Sequence, residues 1–200
     1  MNNPDFQSIC IFAGSADNLD GEYHAAAAEL GKLLAGQRIT VIFGGGKTGL
    51  MGALADAALS AGGRVVGVVP ENLFTPALIH ASLTELLIAP NMHERKATMS
   101  RLAQAFIALP GGFGTFDELF ETLTWSQIGI HRKPVGILNT KKYFDPMLTM
   151  IHHAQQEGFI YSNHRDLFVV AENPSSLIKR LNGFQFPSGL ETWVERPTNN

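Results

Sequence analysis

A glycine turn, a carboxylate and two adjacent cations are the residues of this sequence best suited to chemistry. Pro110-Gly111-Gly112-Phe113-Gly114-Thr115 follows the apolar run Phe106 to Leu109, and a helical pattern restarts at Thr115. A strand, a glycine turn and a helix start, in that order, bring backbone N–H groups to the positive end of a helix dipole, where a phosphate binds well. Side chains on those glycines would hold the backbone off a ligand and forbid positive φ. Glu118 has two readings. It completes a T-x-x-E capping box that reaches back to the Thr115 amide, or it is a working carboxylate beside the anion that the glycines invite. Arg95 and Lys96 fall in the first turns of another helix, where cations oppose the dipole; a nearby anion explains that placement better than solubility does, with a solvated face the alternative for Lys96. His93 could exchange protons. With no second His or carboxylate at ligand spacing it is not a metal ligand, and no metal site is expected.

These residues need a scaffold that brings distant segments together, and the chain supplies one. Short apolar runs at Ser8 to Phe12, Ile39 to Phe43, Arg64 to Val69, Thr84 to Ala89, Ala105 to Leu109, Val135 to Leu138 and Leu167 to Val170 read as seven strands. Helical segments alternate with them at Tyr23 to Ala35, Leu50 to Ala61, His93 to Ala103, Thr115 to Ile128, Phe144 to Glu157 and Ser175 to Leu181, with Asn91 as an N-cap for the third. Continuous apolar strands between helices predict a Rossmann-like, doubly wound α/β fold with a mainly parallel sheet. Ligands of such folds sit at the carboxyl ends of the strands, where strand order reverses. Gly14-Ser15, Gly44-Gly45-Gly46, Met92 to Lys96 and Pro110 to Glu118 all follow strands, so one edge should collect them. Glu71 to Ser82 reads as an irregular, mobile loop. Residues 1–183 are expected to form one nucleotide-binding domain. Residues 184–200 are expected to form a tail, with Phe184, Phe186 or Trp193 able to pin it.

The glycines at 44, 46 and 49 also match G-x-G-x-x-G, but they do not lie in the first strand-to-helix turn, and the next strand ends in Pro70-Glu71. A P-loop is excluded because its first glycine would fall on Val41.

Three blocks together resemble the LOG ("Lonely Guy") family of cytokinin riboside 5′-monophosphate phosphoribohydrolases, long labelled lysine decarboxylase-like. Pro110 to Glu118 resembles its PGGxGTxxE signature, Met92 to Lys96 its M-H-x-R-K segment, and Gly44 to Gly52 its GGGxxGLMG segment. The resemblance runs from about Ile9 to about Asn139. It implies a catalytic Arg95 and Glu118, and substrate contacts from Ser15, Gly45, Lys96, Gly111, Gly112, Gly114, Thr115 and Thr124. It also implies a homodimer with the site near the subunit boundary. Ala13 stands where many members carry cysteine. His80-Ala81-Ser82-Leu83 replaces a Gly-Glu pair of the plant-type enzymes, which resembles a bacterial branch.

The chemistry that follows is hydrolysis of the N-glycosidic bond of a purine nucleoside 5′-monophosphate such as AMP. The glycine turn, Thr115 and Lys96 would hold the phosphate. Glu118 would face the ribosyl cation that develops as the bond breaks, with Arg95 either orienting it and the ribose hydroxyls or assisting the leaving base. No metal or organic cofactor is needed. Two rivals remain at this level: a nucleotide-binding module without catalysis, and a pyridoxal-phosphate lysine decarboxylase, for which no block offers a convincing Schiff-base lysine.

Composition agrees with these readings. Two hundred residues, 45% of them hydrophobic and 16% charged, suit an ordinary globular protein with a substantial core. A net charge of −3 without a basic run argues against a nucleic-acid face. No run approaches the roughly 18 apolar residues of a membrane span. Met1 to Ser8 is polar, so no signal peptide and a cytoplasmic location are expected. The single cysteine, Cys10, lies in an apolar strand and reads as a small core residue.

Overall fold

The fold is described from a computed structural model covering residues 6–190; Trp193 and the rest of the expected tail beyond Leu190 lie outside the described residues. Seven strands are present: β1 (Ser8–Phe12), β2 (Thr40–Phe43), β3 (Val65–Pro70), β4 (Glu85–Ala89), β5 (Ala105–Ala108), β6 (Val135–Leu138) and β7 (Phe168–Ala171). They form one sheet in the order β4-β3-β2-β1-β5-β6-β7, and every pairing is parallel. The chain steps outward from β1 to β4 and then returns to the other side of β1 with β5. Strand order therefore reverses between β1 and β5, and the loops after those two strands must diverge there.

The strands alternate side chains between two apolar layers, as a pleated sheet covered on both faces requires. Ile9, Ile11, Val41, Phe43, Ala105 and Ile107 pack against α1 (Gly21–Gly36), α2 (Gly49–Ser60) and α6 (Pro174–Asn182). Cys10, Phe12, Ile42, Phe106 and Ala108 face α3 (Met92–Leu102), α4 (Phe113–Gln127) and α5 (Asp145–Gln156), through Met99, Leu119 and Met147. Cys10 is fully buried, and burial pushes its thiol well up, so it stays neutral.

Two expectations change in detail. The segment after β3 is irregular but tied down: Ile79 bridges to Gly46, the Lys47 amide donates to the Leu78 carbonyl at 3.1 Å, and the His80 amide donates to the Gly45 carbonyl at 2.9 Å. His80 itself is buried, with Nε2 3.0 Å from Asp56. The segment after α6 folds back onto the protein. Phe184 meets Phe186 edge-on, Arg132 lies over the Phe186 ring at 5.5 Å, and Asn163 donates to the Gly189 carbonyl. Among the described residues no helix is long and apolar enough to cross a membrane, and no group of His, Cys, Asp and Glu could hold a metal ion.

Candidate active site

At the reversal point the two loops lock together. The Gly14 amide, after β1, donates to the Pro110 carbonyl, after β5, at 3.0 Å. The loop after β2 is stitched to the same place: Thr48 Oγ1 donates to the Ser15 carbonyl at 2.7 Å and the Leu50 amide to the Gly14 carbonyl at 2.9 Å. Around this knot lies a cleft of about 470 Å3, within the range of small-ligand sites. Ser15, Gly44, Gly45, Gly46, Arg95, Gly112, Gly114, Thr115 and Glu118 line it, together with apolar Leu73, Leu78, Ile79 and Met92.

The glycine turn works differently from its sequence reading. None of Gly111, Gly112 and Gly114 has positive φ. Gly111 is required by packing, because a Cβ there would stand 2.1 Å from Thr115 Oγ1 and 2.8 Å from the Gly14 amide nitrogen. Around Gly112 and Gly114 a Cβ would meet nothing within 4 Å. No protein neighbour demands glycine at those two positions, and both border the cleft. The tyrosine after β6 steadies the turn: the Tyr143 hydroxyl donates to the Gly111 carbonyl at 2.5 Å, a contact with no signature in the sequence.

Helix α4 begins at Phe113 with Gly112 as its N-cap and no side-chain cap. This start, two residues earlier than the sequence suggested, removes the capping box. Thr115 becomes the third helical residue, and Glu118 the sixth, out of reach of the first amides. Those amides are left for a ligand at the cleft. Glu118 turns elsewhere. Its Oε1 accepts from Arg95 Nη1 at 2.8 Å, and the two side chains are only 11% and 12% exposed.

Arg95 is fixed from three directions. Asn91 caps α3 by accepting from the Glu94 amide, which sets the helix start. Arg95 Nε then donates to the Val68 carbonyl of β3 at 3.0 Å, and Nη2 passes so close to Gly44 that a Cβ there would lie 2.4 Å from it. Segments after β2 and β5, strand β3 and the start of α3 thus meet at one ion pair. Burial pushes the Glu118 carboxyl above its usual range. Arg95 pulls it back through its charge and hydrogen bond, and the neighbouring Asp117 charge adds to the rise.

The other expected residues are placed apart. Lys96 does not line the cleft: its Nζ lies 3.0 Å from Asp117 Oδ2 and 3.0 Å from Glu121 Oε1. It borders a small crevice of about 10 Å3 on the other side of Glu118, with Trp125 and Phe106. Thr124 is exposed on α4, its hydroxyl donating to the Phe120 carbonyl at 2.7 Å. His93 is exposed and does not border the cleft.

A family model described as "Possible lysine decarboxylase" matches residues 51–181. Cytokinin riboside 5′-monophosphate phosphoribohydrolase LOG2 of Arabidopsis thaliana is 44% identical over 176 residues, 88% of this chain and 83% of that protein. The chain belongs to the LOG family. Its counterpart LOG from Oryza sativa subsp. japonica is also 44% identical, over 88% of this chain and 73% of its own length. Two solved structures share the LOG-type fold at low identity. The molybdenum cofactor binding protein of Rippkaea orientalis has a TM-score of 0.68 at 20% identity, covering 92% of this chain and 98% of that one. The molybdenum cofactor carrier protein of Chlamydomonas reinhardtii has 0.67 at 21%, covering 88% and 96%. The older decarboxylase label does not fit the cleft. Among the described residues lining it there is no lysine to carry a pyridoxal-phosphate Schiff base.

Proposed function

We propose that this LOG-family protein hydrolyses the N-glycosidic bond of purine nucleoside 5′-monophosphates, AMP among them, to free base and ribose 5-phosphate. The observation that carries the reading is the shielded Arg95–Glu118 pair, 2.8 Å apart, beside a glycine-lined helix start with unclaimed amides. The 5′-phosphate sits against Gly112, Gly114 and Thr115, where the dipole and amides favour an anion. Ser15 and Gly45 border the substrate on the opposite wall. The apolar residues after β3 and Met92 leave a dry wall suited to a purine base.

With the phosphate fixed, the ribose comes over Glu118. Breaking the bond to the base spreads positive charge over C1′ and the ring oxygen. The ionised Glu118 carboxylate stabilises that cation and orients the water that adds to C1′, accepting its proton; the base leaves with the bonding electron pair and is protonated. Arg95 holds the carboxylate in one orientation, so no reorganisation is needed as charge develops. Its planar guanidinium spans the Val68 carbonyl and Glu118 together, which a lysine could not do.

Phe120 and Thr124 of α4 and its C-cap residue Ile128 recur every four residues along one side of the helix, with Phe120 and Ile128 exposed. These exposed apolar side chains on either side of Thr124 support a homodimer through α4, and a substrate role for Thr124 depends on that partner.

The test is chromatographic. Incubated with AMP, N6-prenylated AMP and adenosine, the protein should release base and ribose 5-phosphate from the nucleotides. Adenosine should react at least about tenfold more slowly, because a set of charge-assisted phosphate contacts is lost. Equal rates on nucleoside and nucleotide would remove the phosphate role of the glycine turn.

A further inference from the structure

We propose that Lys96 is a positioning residue of this site: by bridging Asp117 and Glu121 it clamps α4 to α3 and holds the Glu118 carboxylate against Arg95. The inference rests on the reading of Glu118 as the catalytic carboxylate, and it replaces the phosphate contact that the sequence suggested for Lys96.

The geometry is that of two adjacent cations of one helix gripping three carboxylates of another. Arg95 takes Glu118, and Lys96, the next residue, takes both Asp117 and Glu121. Asp117 and Glu121 are four apart, so they face the same side of α4 and repel one another without a cation between them. Lys96 is only 11% exposed, although a lysine at this point of a helix could reach solvent. Burial alone would lower its pKa, yet the two carboxylates more than offset that, and the ammonium is held in its charged form. To reach a phosphate in the cleft, Lys96 would have to abandon both partners and pass Glu118, which stands between the crevice and the cleft.

The groups that face Glu118 can be named from each side. Arg95 and Lys96 approach from α3, Asp117 and Glu121 are its neighbours on α4, and the neutral Cys10 thiol on β1 feels its charge. Lys96 favours the ionised carboxylate directly, and it also pairs with Asp117, the neighbour whose charge opposes ionisation. A lysine that only stabilised the fold would leave kcat unchanged in a variant that still folds, so turnover and the Glu118 titration are read together.

Two variants test this from opposite directions. Lys96→Met keeps the apolar stem and removes the charge. The pair Asp117→Asn and Glu121→Gln keeps Lys96 and removes its anchors. For each, kcat and KM on AMP are measured across pH, and the Glu118 carboxyl is titrated by NMR with 13C-labelled glutamate. Both variants should lose roughly 10- to 100-fold in kcat, the scale of a displaced catalytic group. KM should stay within about threefold, since uniform substrate binding is untouched. The acid limb and the Glu118 titration should move to higher pH in Lys96→Met and to lower pH in the double variant. A raised KM for AMP with kcat retained in Lys96→Met, and full activity in the double variant, would assign Lys96 to the phosphate and overturn the proposal. An unmoved Glu118 titration in both would overturn it as well. The titration needs no turnover, so a wild-type protein that releases no base would defeat the functional reading while the clamp is still decided by NMR.

Discussion

At the residue level the decisive fact about Glu118 is which partner its carboxylate has. Its sequence context fits a capping box equally well, because Thr115 and Glu118 stand at the required spacing. Only the helix start separates the readings, and Phe113-Gly114 carries no residue-type signal that a helix begins there. Arg95 was legible as a cation placed against a dipole, but Val68 and Gly44, which fix it, leave no trace in local sequence. Lys96 shows the limit of such reasoning. A cation beside an anion site reads as a ligand, whereas its true partners are two carboxylates that follow the glycine turn.

The environment of Glu118 has a consequence for stability. A carboxyl whose folded pKa is raised stabilises the fold below its unfolded pKa, and that contribution is lost as pH rises through the folded value. At neutral pH the ionised Glu118 therefore costs the protein stability. Glu118→Gln removes the charge and keeps an acceptor for Arg95. Its thermal stability at pH 7 is expected to match or exceed that of wild type, with the gap closing as pH falls. Melting curves at several pH values check this, and a large drop at pH 7 would show the ion pair to be a net stabiliser.

At the level of elements, the glycine turn divides into a packed part and an open part. Gly111 sits where two loops cross, so Gly111→Ala drives a methyl into Thr115 and the Gly14 amide. The expected loss is about 1–3 kcal/mol, typical of overpacking. Gly112→Ala meets no protein atom. It should melt within about 1 kcal/mol of wild type yet lose at least about tenfold in kcat/KM, because its methyl occupies the place of the anion's contacts. Comparing the two melting temperatures with the two rates checks the division, and equal destabilisation would erase it. The sequence marks all three glycines alike; the burial of Thr115 and the knot at Gly14 are what tell them apart. The strands were the easiest elements to read, since a sheet covered on both faces needs continuous apolar runs. The tethering of 71–80 to the triple glycine was not, since backbone bridges such as Gly46 to Ile79 depend on no side chain.

For the whole molecule, the prediction that the motifs share one edge follows from each of them coming after a strand. Strand order itself was not readable, and it decides that β1 and β5 are neighbours at the reversal point. Thr124 is exposed on α4, where the proposed homodimer would cover it. A homodimer through that side of the helix should sediment at twice 21.7 kDa. Ile128→Asp, which places a charge on that side, should shift the protein to monomers. A wild-type monomer at high concentration, or a dimer indifferent to Ile128→Asp, would contradict the assignment.

The measurement that bears most directly on the central claim is turnover of AMP by Glu118→Gln, compared with wild type at saturating substrate. Arg95 keeps its hydrogen-bond acceptor and the phosphate cradle is untouched, so only the charge facing the ribose is lost. Release of adenine should fall by roughly a hundredfold or more, the scale of an acid–base group or electrostatic stabiliser. Near-wild-type release of adenine by the Gln variant would contradict the account.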